Sequence, residues 1–250
     1  MQRYFVANNQ LKELNFSITG EDVKHISKVM RMSPGDQLIC INEDGIVAQC
    51  EIVGITSDEV NGNVLKIVTE DTELPVKVTV AQGLPKGDKL ELIVQKGTEL
   101  GANTFIPFQA TRSIVKWDDK KGQKKIERLG KIAKEAAEQS YRRIVPKVMN
   151  SLSFKQLVKE SEHYDIKIVA YEEQAKLGEM KNLAAALGQA EIGSSILVVV
   201  GPEGGLTIDE VTALEQIGFI SCSFGPRILR TETAAMYFLS AVSYHFEMLR

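Results

Sequence analysis

Cysteine is scarce in this chain. Cys40, Cys50 and Cys222 are its three, an odd number without C-x-x-C spacing. That argues against a disulfide framework and for reduced thiols in a cytoplasmic protein. Histidine is equally sparse: His25, His163 and His245 are scattered, so no Cys/His cluster marks a metal site and no metal is expected. No apolar run approaches the roughly 18 residues of a membrane span, and the opening Met1–Gln10 lacks the apolar core of a signal peptide. A cytoplasmic location with no membrane association is the expectation. Internal repeats and low-complexity tracts are also missing. So are two nucleotide-binding signatures: no Lys-Ser or Lys-Thr follows the C-terminal glycines, and there is no G-x-G-x-x-G.

What is present is ordinary in bulk and uneven in detail. The 250 residues are 44% hydrophobic and 25% charged, which suits one large globular domain or two modest ones. The net charge of −3 hides an asymmetry. Residues 1–70 hold 6 Lys/Arg against 10 Asp/Glu, residues 83–147 hold 15 against 8, and residues 148–250 hold 8 against 13. A basic block inside an acidic chain is the footprint of a phosphate-backbone contact, although a solvated helix face gives the same charge.

The most informative stretch runs from Ile196 to Met236. A short apolar run, Ile196–Val200, ends in Gly201-Pro202-Glu203-Gly204-Gly205. A helical segment follows, then a second apolar run, Phe219–Phe224, ending in Gly225-Pro226-Arg227-Ile228-Leu229-Arg230-Thr231-Glu232-Thr233. Two buried-strand patterns thus each run out into a polar glycine-proline turn. In an open parallel sheet, ligands sit beyond the carboxyl ends of the strands. Glycine there allows close backbone approach and positive φ. One such turn is an ordinary connection; two carrying Glu203, Arg227, Arg230, Thr231 and Glu232 point to a site.

These two motifs resemble the paired signatures of the 16S ribosomal RNA uracil-N3 methyltransferase family, in the SPOUT superfamily of knotted methyltransferases. The resemblance extends to QKGTELG, ATRS and EAAEQSYRR upstream, and to RYF and HISKVMRMSPGD near the N-terminus, so it covers nearly the whole chain. It implies an α/β protein: a small PUA-like β-barrel RNA-binding domain over residues 1–72, then a SPOUT-type α/β-knot methyltransferase domain with a parallel sheet over residues 73–250. It further implies a homodimer, S-adenosyl-L-methionine as cofactor, and methylation of N3 of a uridine in 16S ribosomal RNA, free or in the small ribosomal subunit.

The patterns agree with that division. Residues 37–42, 46–53 and 64–68 are short, β-branched and partly alternating, with turns expected at Glu43-Asp44-Gly45 and Asn61-Gly62-Asn63. A helix is predicted from about Gly20 to Met32, bringing His25, Lys28 and Arg31 near one face. After an acidic linker at Thr69–Pro75, strands alternate with helices: strands at 76–81, 104–108 and 166–170, helices at 88–100, 124–141 and 183–187. Lys116–Lys125 reads as a charged surface loop, and Thr231–Leu249 as a helix apolar enough for a core or an interface.

The resemblance also implies roles. The cofactor is expected against Tyr171, Gly201, Pro202, Glu203, Gly204, Gly205, Leu206, Phe224, Gly225, Arg227, Ile228, Leu229, Thr231 and Thr233. RNA contacts are expected from Arg3, His25, Arg31, Lys86, Lys96 and Arg142, with Lys86, Arg112 and Arg142 along the route to the pocket. Removing the N3 proton calls for a base or for cations that stabilise the anion; Arg230, Glu232 and Arg112 are the catalytic candidates, with Thr231 capping the last helix. Ribose 2′-O or guanine-N1 methylation on the same fold, and a non-catalytic RNA-binding cofactor sensor, are the alternatives.

Overall fold

The computed structural model describes residues 1–117, 119–171 and 182–249, with the side chains of 119–121 left aside. The chain forms two compact units: Met1–Glu73 with Ala137–Val145, and Leu74–Ala136 with Pro146–Arg250.

The first unit is built on five strands: β1 (Arg3–Phe5), β2 (Asn15–Thr19), β3 (Gln37–Ile41), β4 (Val47–Ile55) and β5 (Glu59–Val68). Their order is β1-β3-β4-β5-β2, parallel between β1 and β3 and antiparallel elsewhere. No ladder joins β1 to β2 among the described residues, so this is a half-barrel whose edges do not meet. Period-two alternation sends Phe16, Ile18, Val60 and Ile52 inward, where they pack with Tyr4, Ile26 and Leu38. Helix α1 (Glu21–Lys24) widens into a π-helical turn at His25–Val29 and stops at Arg31, whose φ of +54° is left-handed. His25, Lys28 and Arg31 therefore do not form one helical row, because Arg31 lies beyond the helix.

Asn61-Gly62-Asn63 is not a turn; it lies inside β5. Gly62 pairs with Phe16, and a Cβ on it would lie 1.9 Å from the Glu51 carbonyl oxygen and 2.8 Å from the Phe16 ring. Glycine is needed there for close approach of strand and ring, not for a reversal. The reversal sits at Thr56–Asp58, where the Thr56 Oγ1 accepts from the Asp58 and Glu59 N–H groups.

Residues 137–145 join this unit through Glu73. Its carboxylate accepts from the Arg142 Nε and from the backbone N–H groups of Arg143 and Ile144. Arg142 is 2% exposed. The Arg3 guanidinium adds a bond to the Arg142 carbonyl and lies over the Tyr141 ring at 4.9 Å.

The second unit is a wholly parallel sheet of β6 (Lys77–Gly83), β7 (Thr104–Gln109), β8 (Lys147–Val148), β9 (Leu152–Ser153), β10 (Ile166–Ala170), β11 (Ser195–Val200) and β12 (Ile220–Cys222). The order is β12-β10-β11-β6-β7-β8, with β9 also on β7. Strand β11 lies between β10 and β6 and is buried along both faces, so Ile196–Val200 shows an unbroken apolar run instead of alternation. The helices are α2 (Lys89–Glu99), α3 (Asp119–Gln139), α4 (Phe154–Glu160), α5 (Asn182–Gln189), α6 (Ile208–Gln216) and α7 (Thr231–Ser243). The loop expected over Lys116–Lys125 is instead mostly helix, since α3 begins at Asp119.

Candidate active site

The carboxyl ends of β10, β11 and β12 surround one cavity of about 1180 Å³, lined by Tyr171 after β10, Val200–Leu206 after β11 and Cys222–Thr231 after β12. The two glycine-proline turns found in the sequence therefore meet, because β10 separates their strands by one ladder on each side.

The first turn is folded tightly on itself. Gly205 has φ +69°, its N–H bonds the Pro202 carbonyl at 2.8 Å, and a Cβ on Gly201 would come within 2.9 Å of the Gly205 carbonyl carbon. A side chain at 201 would collide with backbone, so the turn requires glycine there. Gly83, at the end of β6, takes part as well: its missing Cβ makes room for the Pro202 ring.

Three side chains outside the turns hold this geometry. Gln82 is 1% exposed and donates through Nε2 to the Thr231 Oγ1 at 2.8 Å and the Gly201 carbonyl at 3.3 Å. The Thr231 hydroxyl in turn donates to the Gly201 carbonyl at 2.6 Å. Glu210, 5% exposed, accepts from the Thr111 N–H and hydroxyl with one oxygen and from the Thr207 N–H and hydroxyl with the other. It closes a reciprocal cap on α6 and ties the Ala110–Ser113 loop to it. The neighbouring Arg112 donates through Nη1 to the Gly204 and Leu206 carbonyls at 3.0 and 3.3 Å.

Sequence reasoning passed over Gln82, Glu210, Lys89 and Ser223. Two of these had a legible signal: Thr207-x-x-Glu210 has capping-box spacing, and Gln82 is a polar residue ending an apolar strand. Ser223 is 3% exposed, lines the cavity, and its hydroxyl has no partner among the described residues.

Charge gathers on one side. Lys89 Nζ lies 3.0 Å from Glu203 Oε1 and 3.5 Å from Glu232 Oε2. Its pKa is raised, chiefly by the Glu203 hydrogen bond. Burial alone would push the Glu203 carboxyl up, but the bonds from Lys89 and from the Lys86 N–H outweigh it and hold the carboxyl below its ordinary value. Burial pushes the Cys222 thiol up to about 12, so it lines the cavity as a neutral group.

The expected residues fall into three sets. Tyr171, Gly201, Pro202, Glu203, Gly204, Gly205, Leu206, Phe224, Gly225, Arg227, Ile228, Leu229, Arg230, Thr231 and Arg112 all line the cavity. Thr233 does not; it is exposed on another face of α7, while Thr231 and Ala234 face the cavity. Glu232 does not line it either, and faces Lys89. Thr231 is not the cap of α7: Arg230 occupies the N-cap position, extended at ψ 153°, while the Thr231 hydroxyl is spent on the first turn. Arg227 and Arg230 are exposed at the cavity mouth.

Of the basic candidates in this unit, Lys86 is exposed and Lys96 is paired with Glu99 at 2.8 Å on the α2 surface. In the other unit, Arg31 and His25 are exposed, with the His25 Nδ1 3.1 Å from the Tyr4 hydroxyl. Arg3 is half-buried. Arg142 is a correction: buried and bonded to Glu73, its guanidinium is committed inside the unit and is not presented to a phosphate.

Comparison with known proteins agrees with this geometry. Residues 72–243 match the RNA methyltransferase domain model and residues 18–65 the RNA methyltransferase PUA domain model. The chain is 56% identical to the ribosomal RNA small subunit methyltransferase E of Bacillus subtilis, covering 100% of this chain and 99% of that one. It is 33% identical to the protein of the same name from Mycobacterium bovis, over 90% of this chain and 84% of that one. The crystal structure of a ribosomal RNA small subunit methyltransferase E from Neisseria gonorrhoeae bound to S-adenosyl methionine superposes with TM-score 0.85 at 26% identity, over 98% of both chains. Two domain matches in sequence order and full-length identity above one half agree with a parallel sheet whose strand ends close on one cavity: the chain belongs to the ribosomal RNA small subunit methyltransferase E family of RNA methyltransferases.

Proposed function

We propose that this protein transfers a methyl group from S-adenosyl-L-methionine to N3 of a uridine in 16S ribosomal RNA. The observation that carries the reading is the meeting of both glycine-proline turns on one cavity at the ends of β10, β11 and β12.

The residues present fit the cofactor. The cavity offers bare backbone at Gly201, Gly204 and Gly205, apolar walls at Leu206, Phe224 and Leu229, and the unpartnered Ser223 hydroxyl as a buried polar anchor. These would hold the adenosine and methionine parts. When bound, the cofactor supplies a methyl already activated on a sulfonium. The chain's task is then to position the base and stabilise the charge that N3 acquires. Arg230 stands at the mouth of the cavity, at the N-cap position just before α7. Its cation and the positive end of the helix together favour a uracil anion, and the N3 proton passes to solvent. Glu232 is read as a fixed charge held by Lys89 and not as the base, because its side chain does not line the cavity. Arg112 shapes the first turn through the Gly204 and Leu206 carbonyls. N3 is paired in a duplex, so the uridine must be unpaired or extruded.

The fold division belongs to the same reading, with an RNA-binding N-terminal domain followed by the catalytic domain. So does the knot, which rests on the family the chain belongs to; the Thr231 bond to Gly201 fastens the last turn to the first. A homodimer is supported by the exposed Ile228, Tyr237, Tyr244 and Met248 on and beside α7. The test is calorimetry with S-adenosyl-L-methionine, followed by mass mapping of 16S ribosomal RNA from a deletion strain. Cofactor binding together with loss of one methylated uridine is expected. A missing methyl on a ribose oxygen or a guanine would overturn the uracil assignment, and binding without turnover would favour a sensor.

A further inference from the structure

On the outer face of the N-terminal half-barrel lies a hollow of about 440 Å³ that plays no part in the chemistry above. Four of the chain's nine asparagines line it: Asn9, Asn15, Asn61 and Asn63. The register explains why they gather. Asn15 stands directly opposite Asn63, and Ser17 opposite Asn61, on adjacent strands β2 and β5. Alternation turns the intervening Phe16 inward, leaving one polar row on the solvent face. Asn9 overhangs it from the short turn at Asn8–Gln10.

These carboxamides are uncommitted. Elsewhere asparagine side chains hold the fold: Asn42 accepts from the Ile46 N–H, Asn103 from the Thr104 hydroxyl, and Asn182 donates to the Ser221 carbonyl. None of the four in the hollow makes a side-chain hydrogen bond among the described residues. Gln10, at the same rim, is by contrast bonded at both ends, to Ala7 and Thr19.

The chemistry selects a class of ligand. Of the lining residues only Lys12 and Glu59 are charged, and they offset each other, so the hollow is not a phosphate site. A carboxamide presents a donor and an acceptor side by side, the arrangement that reads the edge of a nucleobase. Val53, 55% exposed, adds an apolar surface for a ring face. An RNA duplex hides those edges, whereas an unpaired base shows them. We propose that the Asn15–Asn63 and Ser17–Asn61 ladder is a base-reading subsite that takes one unpaired nucleobase of the RNA substrate. The inference rests on the RNA reading above and gives the N-terminal sheet a selective role.

The test uses the full-length chain and anisotropy with octamers of rA, rC and rU and a matched abasic octamer, at several salt concentrations. The wild type should favour one base over the abasic strand by about tenfold. The double variant Asn15→Ala/Asn63→Ala, at exposed positions, should melt normally and lose that preference. Its salt slope should not change, because neutral amides release no counterions. If the alanine pair unfolds, the single neutral variant Asn63→Ser repeats the measurement, removing one carboxamide without adding charge. An unchanged preference, or equal binding of all strands including the abasic one, overturns the subsite. A shallower slope in the variant also overturns it, since it would mean a phosphate contact. Methyl transfer is assayed separately: base preference carried by these asparagines without transfer sinks the catalytic reading alone.

Discussion

Strand β2 of the N-terminal unit alternates, with Phe16 and Ile18 in the core and Asn15 and Ser17 outside, while β11 of the C-terminal unit is buried from Ile196 to Val200 without a break. The first pattern belongs to a sheet with one wet face, the second to a sheet covered on both. The consequence is functional. A one-sided sheet can present side chains along its length, as the asparagine ladder does. A two-sided sheet has no free face, so it presents backbone and a few side chains where its strands end. That is where the second unit has its glycines, Ser223 and Arg230.

Four experiments would break or sharpen that contrast. The largest expected effect lies in the N-terminal unit. Glu73→Ala leaves the buried Arg142 guanidinium without its carboxylate, and unfolding of this unit should come about 3–5 kcal/mol more easily. Differential scanning calorimetry reads this; an unchanged melting profile would return Arg142 to the exposed candidates.

In the C-terminal unit, Gly201→Val drives a side chain into the backbone of Gly205 and Leu206. The backbone must shift away from the cofactor, and a roughly 100-fold loss of S-adenosyl-L-methionine affinity, about 3 kcal/mol, is expected. Normal calorimetric binding by a folded variant would mean that the turn does not touch the cofactor. Arg230→Ala should come next, lowering turnover by about 100-fold with cofactor affinity nearly intact. Near-normal turnover would remove Arg230 from the chemistry.

The smallest effect is electrostatic. The Glu203 carboxyl is held below its ordinary value by Lys89 and the Lys86 N–H, so it is deprotonated more readily folded than unfolded. Its contribution is therefore complete above the unfolded carboxyl pKa and is lost as pH falls through the lower folded value. Glu203→Gln should flatten that acid limb of the stability curve by less than about 1 kcal/mol, as suits a partly exposed pair. An acid limb identical to wild type would show that the pair does not form in solution.

Much of this was legible in the residues. The apolar runs into Gly201-Pro202 and Gly225-Pro226 marked strands ending in turns, and both turns line the cavity. The misreadings have separate physical causes. Asn61-Gly62-Asn63 has turn composition, yet Gly62 is set by an ångström-scale approach to Glu51 and Phe16 that no local pattern records. Thr231 has cap chemistry, but its hydroxyl found the Gly201 carbonyl, 30 positions away, and left capping geometry to Arg230. Strands β1, β8 and β9, of two or three residues, are too short to show a period.

By itself the sequence determined most of the strands (though not β2 or the first half of β5), where glycine would free the backbone, and which family the motifs resemble. Those follow from hydrophobic period and from backbone sterics, which act within a few residues. Only the tertiary structure decided that Arg142 is buried against Glu73, that Glu210 ties the Arg112 loop to α6, and that four asparagines share one hollow. Hydrogen bonds and ion pairs act over a few ångströms, so partners distant in sequence become partners only when the sheet order brings their strands and turns together.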